Sequence, residues 1–197
     1  MAKSRFSNES GFSLLEVLIA MGVMTVGLVS LAQLFALSIR ANHSSRTTTF
    51  AVMLAQQKME QLRGLTWGFD TIGLPISDLS TDSSAVPQAS GCPPASGGGT
   101  GTGLSPSASG TLGNNVSGWV DYLDINGCLL GGGSTPPPLT IYIRRWSVEP
   151  LPTNPNNTVI FQVLVTRRTD RGAADDGNVM RMPEEARMMS VKTRKYK

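Results

Sequence analysis

One acid stands alone in the N-terminal part of this chain. In GFSLLEVLIAMGVMTVGLVSLAQLFALSI, from Gly11 to Ile39, Glu16 is the only ionisable residue. A carboxylate inside a membrane-length apolar run costs on the order of 2–3 kcal/mol. It either snorkels to the headgroups or has a partner. Other residues able to do chemistry are few. The two cysteines, Cys92 and Cys128, permit one disulfide outside a reducing compartment, or stay as two thiols. A single histidine, His43, argues against a His-based metal site or a Ser-His pair.

Several apparent motifs fail on chemistry. DYLDING resembles a calcium loop, but Tyr122 stands where the first acid belongs and no Glu follows at the right distance. Asp170, Asp175 and Asp176 could hold calcium, but a solvated hairpin loop is the simpler reading. GGGTGTG lacks the Lys-Ser/Thr of a phosphate loop. No Ser-His-Asp, Cys-His or paired-carboxylate arrangement is legible, so no enzyme, metal or cofactor is expected. The basic tail, with Lys192, Arg194 and Lys195, could grip a nucleic-acid backbone. A charged edge strand that resists edge-to-edge pairing is the preferred reading, so no nucleic-acid partner is expected.

The elements that must position these residues follow from composition. The chain has 197 residues and a net charge of +3, enough for one compact domain and an anchor. Its first third is apolar, its middle is rich in Gly, Ser and Pro, and its last third alternates like strands. From Phe12 to Ile39 about 28 residues give roughly 42 Å of helix, enough to cross a bilayer. Lys3 and Arg5 precede the run, which puts Met1 in the cytoplasm and the bulk of the chain outside. The run is longer than the apolar core of a secretory signal, and no A-x-A-like site follows a short core.

GFSLLEVLIA resembles the cleavage and methylation motif of type IV pilins and pseudopilins. Gly11, Phe12 and Glu16 match that motif in type and spacing. The resemblance implies cleavage after Gly11 by a prepilin peptidase and N-methylation of Phe12. It implies that Glu16 of one subunit neutralises the terminal ammonium of a neighbour during assembly. It also implies the partners: major pilin, other minor pilins, the inner-membrane assembly platform and the lipid bilayer. LAQQKMEQLR is similar to a block of minor pilins of the PilV type and of pseudopilins of the GspI type. Major pilins usually carry a proline in mid-anchor, and this chain has none near Gln33. The implied function is a minor pilin in a type IV pilus or its initiating tip complex. A type II secretion pseudopilin and a DNA-uptake pilin are the alternatives, and an ordinary signal-anchored periplasmic domain is a third.

The expected fold is α+β and type IV pilin-like: a long N-terminal helix packed on a C-terminal antiparallel sheet. The expected segments are a leader at 1–11, an anchor helix at 12–39 and the outer half of the helix at 40–65. A Gly/Ser/Pro-rich loop at 66–118 and a β-sheet head at 119–197 complete the division. Ala51, Ala55, Met59 and Leu62 fall on one helix face, and Gly64 is a stop signal. Ser44–Thr49 is a poor helix former. Strands are predicted at Trp119–Ile125, Leu139–Val148, Val159–Arg168 and Met188–Tyr196. Leu139, Ile141 and Ile143 are predicted on one face, with Tyr142, Trp146 and Val148 on the other. Val159, Phe161, Val163 and Val165 should share a face. The middle loop has too few apolar residues to bury a core.

Overall fold

The computed structural model describes residues 11, 13–84, 91–93, 102–168 and 185–195. Phe12, most of the leader, Asp170, Asp175 and Asp176 lie outside the described residues. The chain forms two compact units that divide between Ser45 and Arg46.

The first unit is the N-terminal part of α1, an α-helix from Leu14 to Gly64. Its apolar side chains, Leu14 through Ile39, are all exposed. A window of it reaches a mean hydropathy of 2.2, and none of that window is buried within the protein. Two of its hydroxyls are satisfied locally: Thr25 Oγ1 donates to Gly22 O at 2.8 Å and Ser30 Oγ to Val26 O at 2.9 Å. That is what a helix in hydrocarbon requires. The weak stretch Ser44–Thr49 is helical throughout. Ser45 Oγ bonds back to Ala41 O at 2.9 Å, so this hydroxyl is satisfied on the helix itself rather than interrupting it.

The second unit begins with the rest of α1. Ala51, Leu54, Ala55, Lys58, Met59 and Leu62 are buried, an i, i+3, i+4, i+7 stripe wider than the four residues predicted. The stripe packs on a five-stranded antiparallel sheet. In chain order its strands are β3 Val120–Leu123, β4 Leu129–Gly131, β5 Tyr142–Pro150, β6 Thr158–Arg167 and β7 Ala186–Thr193. Their spatial order is β4-β3-β5-β6-β7. β1 Trp67–Phe69 and β2 Pro75–Ser77 form a separate hairpin just after the helix. The protein is therefore an α+β, type IV pilin-like fold.

Register matches most of the predicted alternation. Val159, Phe161, Val163 and Val165 of β6 join the helix stripe with Tyr142, Trp146 and Val148 of β5. Leu139 departs from expectation. It sits in a turn before β5, has φ of 67° and is 79 % exposed. Pro136, Pro137 and Pro138 bring no N–H to a ladder, so the strand cannot start until they are passed. The final strand stops at Thr193, before the predicted end at Tyr196.

β5 is buried on both faces from Tyr142 to Val148. Arg145 on the face away from the helix bonds Asn115 Oδ1 at 2.9 and 2.5 Å, and Tyr122 OH donates to Gly133 O at 2.6 Å. The middle segment thus reaches the sheet rather than standing apart from it. Leu104 from that segment is 1 % exposed and belongs to the main core. Ser107 N donates to Val148 O at 2.9 Å. The reading of 66–118 as a loop without core residues is corrected on these points. It undercounts because single apolar residues of the segment, Leu104 with Trp67 and Val116, pack on a core built mainly by the helix and the sheet.

Candidate functional site

The N-terminal site begins at Gly11, which is exposed, with open space where a Cβ would stand. Helical bonding starts at Ser13: Ser13 O accepts from Glu16 N at 3.0 Å and Val17 N at 3.2 Å. Ser13 is therefore the N-cap residue and Glu16 the third helical residue. Ser-x-x-Glu is the sequence of a capping box, and an acid in the first turn opposes the positive end of the helix dipole. Glu16 is exposed. Its carboxylate is thus available at a helix start, close in sequence to the Gly11–Phe12 bond. Phe12 lies outside the described residues.

Cys92 and Cys128 are joined in a disulfide with Cα atoms 5.4 Å apart. It closes a loop of 36 residues, worth on the order of 3–4 kcal/mol in the chain-entropy account. The preceding DYLDING segment ends β3 and then turns at Asp124–Gly127. Asp124 Oδ1 accepts from Asn126 N and Cys128 N, both at 2.8 Å, so this carboxylate oxygen holds its own backbone and positions Cys128. Among the described residues no group of three or more potential metal ligands occurs.

A cluster that sequence reasoning missed lies between helix and sheet. Lys58 Nζ and Arg144 Nη2 each lie 2.7 Å from Asp121 Oδ2, and all three side chains are fully buried. Arg144 Nε adds a third bond at 3.0 Å. Arg144 Nη1 reaches Leu54 O at 3.1 Å and Gln57 Oε1 at 3.2 Å. Lys58 also donates to Ser83 O at 2.6 Å and lies 3.9 Å over the Trp146 ring. Burial pushes the Lys58 ammonium down to about 8; Asp121 opposes the shift and Arg144 adds to it. Three charges from α1, β3 and β5 meet with one net positive charge. The arrangement can lock a helix to two strands. The signal was present: Lys58 interrupts an apolar stripe, and Asp121 and Arg144 stand opposite each other across β3 and β5.

The basic tail is engaged within the chain. Lys192 Nζ donates to Arg63 O at 2.7 Å and Leu65 O at 2.5 Å, capping the C-terminal end of α1. Burial lowers its pKa, with a smaller push from Arg63. Arg194 stacks 3.7 Å from the centre of the Trp67 ring. It donates to Asn156 O, Gly68 O, Ile76 O and Ser77 Oγ. Lys195 is exposed. Two of the three residues therefore tie the β1–β2 hairpin and the helix end to the last strand.

Residues 6–32 match the family model described as the prokaryotic N-terminal methylation motif. The match covers the leader junction, Glu16 and the apolar part of α1 as far as Ala32, and it supports a place in the pilin and pseudopilin superfamily. With the exposed apolar helix it accords with processing by a prepilin peptidase and anchoring in the inner membrane. Comparison with curated proteins returns no match, and comparison with solved structures returns none.

Proposed function

We propose that this chain is a minor pilin of the PilV type, cleaved after Gly11 and N-methylated on Phe12. It would sit in the inner membrane with its N-terminus in the cytoplasm and its head in the periplasm, then pass into a type IV pilus or its initiating tip complex. Its partners are the prepilin peptidase, the major pilin, other minor pilins and the assembly platform. The observation that carries this reading is the coincidence of the matched motif at residues 6–32 with Glu16 in the first turn of an exposed apolar helix. A carboxylate there costs energy in a bilayer unless a cation meets it. The methylated amine of a neighbouring copy, which keeps its charge, supplies that cation.

The head supports a structural role. Several of its charged residues form internal locks, with Lys192 and Arg194 bound to backbone carbonyls. A pseudopilin of the GspI type shares the N-terminal chemistry, and the long middle segment favours the pilus over it.

The test is the intact mass and N-terminal residue of the protein extracted from membranes of its native host. A chain starting at methylated Phe12 is expected. A chain retaining Met1 would overturn the reading. Loss of piliation rather than of protein secretion on deletion separates the two machines.

A further inference from the structure

α1 is continuous from Leu14 to Gly64, but its support is not. As far as Ile39 the helix is an exposed apolar run. From Ala51 onward its stripe is buried in the core that the sheet completes. Between Arg40 and Phe50 no side chain is fully buried: Ser44, Thr47, Thr48 and Phe50 are half-buried and the others are exposed. This stretch belongs neither to the apolar run nor to the buried stripe. The division between the two compact units falls within it.

The sequence there gives the helix little support of its own. Asn42-His43-Ser44-Ser45-Arg46-Thr47-Thr48-Thr49 contains one strong helix former, Arg46. The three consecutive threonines are β-branched and lose χ1 freedom against the preceding turn. The bond from Ser45 Oγ to Ala41 O satisfies the hydroxyl, but back-bonding of this kind slightly weakens a helix. No acid stands between Glu16 and Glu60, so neither Arg40 nor Arg46 has an i,i+4 carboxylate along the helix. A helical stretch this short is marginal in water unless packing holds it.

From these observations we infer that α1 carries an extensible joint at 42–49, which uncoils reversibly while the helix on both sides stays folded. Local opening is cheapest where few buried contacts break, and the core takes its first fully buried helix residue only at Ala51. Eight residues span about 12 Å as helix and up to about 27 Å extended, so opening adds about 15 Å of reach. The head can then be pulled or turned at the end of its anchor with no loss from its core. That role rests on the reading of α1 as a bilayer anchor.

Hydrogen exchange of the full chain in phospholipid nanodiscs, resolved by mass spectrometry, tests the joint. Amides over 42–49 are expected to exchange at least tenfold faster than those over 52–62. Ser44→Ala, Ser45→Ala, Thr47→Ala, Thr48→Ala and Thr49→Ala together should slow 42–49 at least tenfold and leave 52–62, β5 and β6 unchanged. Equal protection of 42–49 and 52–62 in the wild type overturns the inference. So does fast exchange over 42–49 that the alanine variant fails to slow. Exchange over 14–39 reports on the anchor separately. Slow exchange there, with equally slow exchange over 42–49, removes the joint alone. Fast exchange over 14–39 removes the anchor reading and with it the role of the joint.

Discussion

Lys58 Nζ lies 2.7 Å from Asp121 Oδ2, and water reaches neither side chain. The pair joins the middle of the helix stripe to the first long strand of the sheet. Arg144 shares the same carboxylate oxygen, so one anion serves two cations and the trio keeps one net positive charge. The three residues are unequal in consequence.

Asp121→Ala leaves Lys58 and Arg144 buried and uncompensated. Breaking a buried pair this way costs about 3–5 kcal/mol. Lys58→Met instead leaves a balanced Asp121–Arg144 pair and fills the space with an apolar chain. It should change stability by about 1 kcal/mol or less, in either direction. Urea unfolding of the full chain in detergent measures both. Equal losses in the two variants would show that the charge balance is irrelevant.

Stability should rise with pH in the alkaline range. Lys58 is held at about 8 in the folded protein, below its ordinary 10.5. Below pH 8 both states carry the proton. Between 8 and 10.5 the unfolded chain holds more protons than the folded one, so unfolding becomes less favourable as pH rises. Lys58's share of the slope stays under about 1.4 kcal/mol per pH unit. Subtracting the Lys58→Met profile isolates it from Lys192, which shifts in the same direction. An unchanged profile in that variant would refute the assignment.

Replacing Cys92 and Cys128 together by Ser should lower stability by about 3–4 kcal/mol. Thermal unfolding of oxidised, reduced and substituted protein reads this directly. Reduced wild type and the double variant should coincide. A melting temperature unaffected by reduction would mean that the bridge constrains nothing.

Arg194→Ala should loosen the β1–β2 hairpin and leave the large sheet intact. The guanidinium stacks on Trp67 and bonds Gly68 O and Ile76 O, one carbonyl on each hairpin strand. Hydrogen exchange should quicken at least tenfold over 67–77 and stay the same over β5 and β6. A uniform increase would place Arg194 in the global core instead.

Much of this was legible because it is periodic. Val159, Phe161, Val163 and Val165 reveal their common face by alternation, and Gly64 marks the helix end by its type. The Gly11–Glu16 spacing is local and needs no fold to be seen. The Lys58–Asp121–Arg144 cluster was not legible as a unit. Its members are 63 and 23 positions apart, and each alone reads as an ordinary surface charge. The hairpin at 67–77 was hidden for a similar reason. Its strands are three residues each, and what anchors them is Arg194 at the other end of the chain. The turn at Leu139 was misread because the tripeptide of prolines before it was weighed less than the alternation after it.

The cap on the helix end has a consequence for synthesis. Lys192 binds a carbonyl that leaves the ribosome 127 residues before it does. The helix and the first strands precede it along the chain, so this lock closes only after they have been made. Such long-range closure is slow. Until residue 192 emerges, the last strand cannot complete its pairing with β6 and the end of α1 lacks its cap.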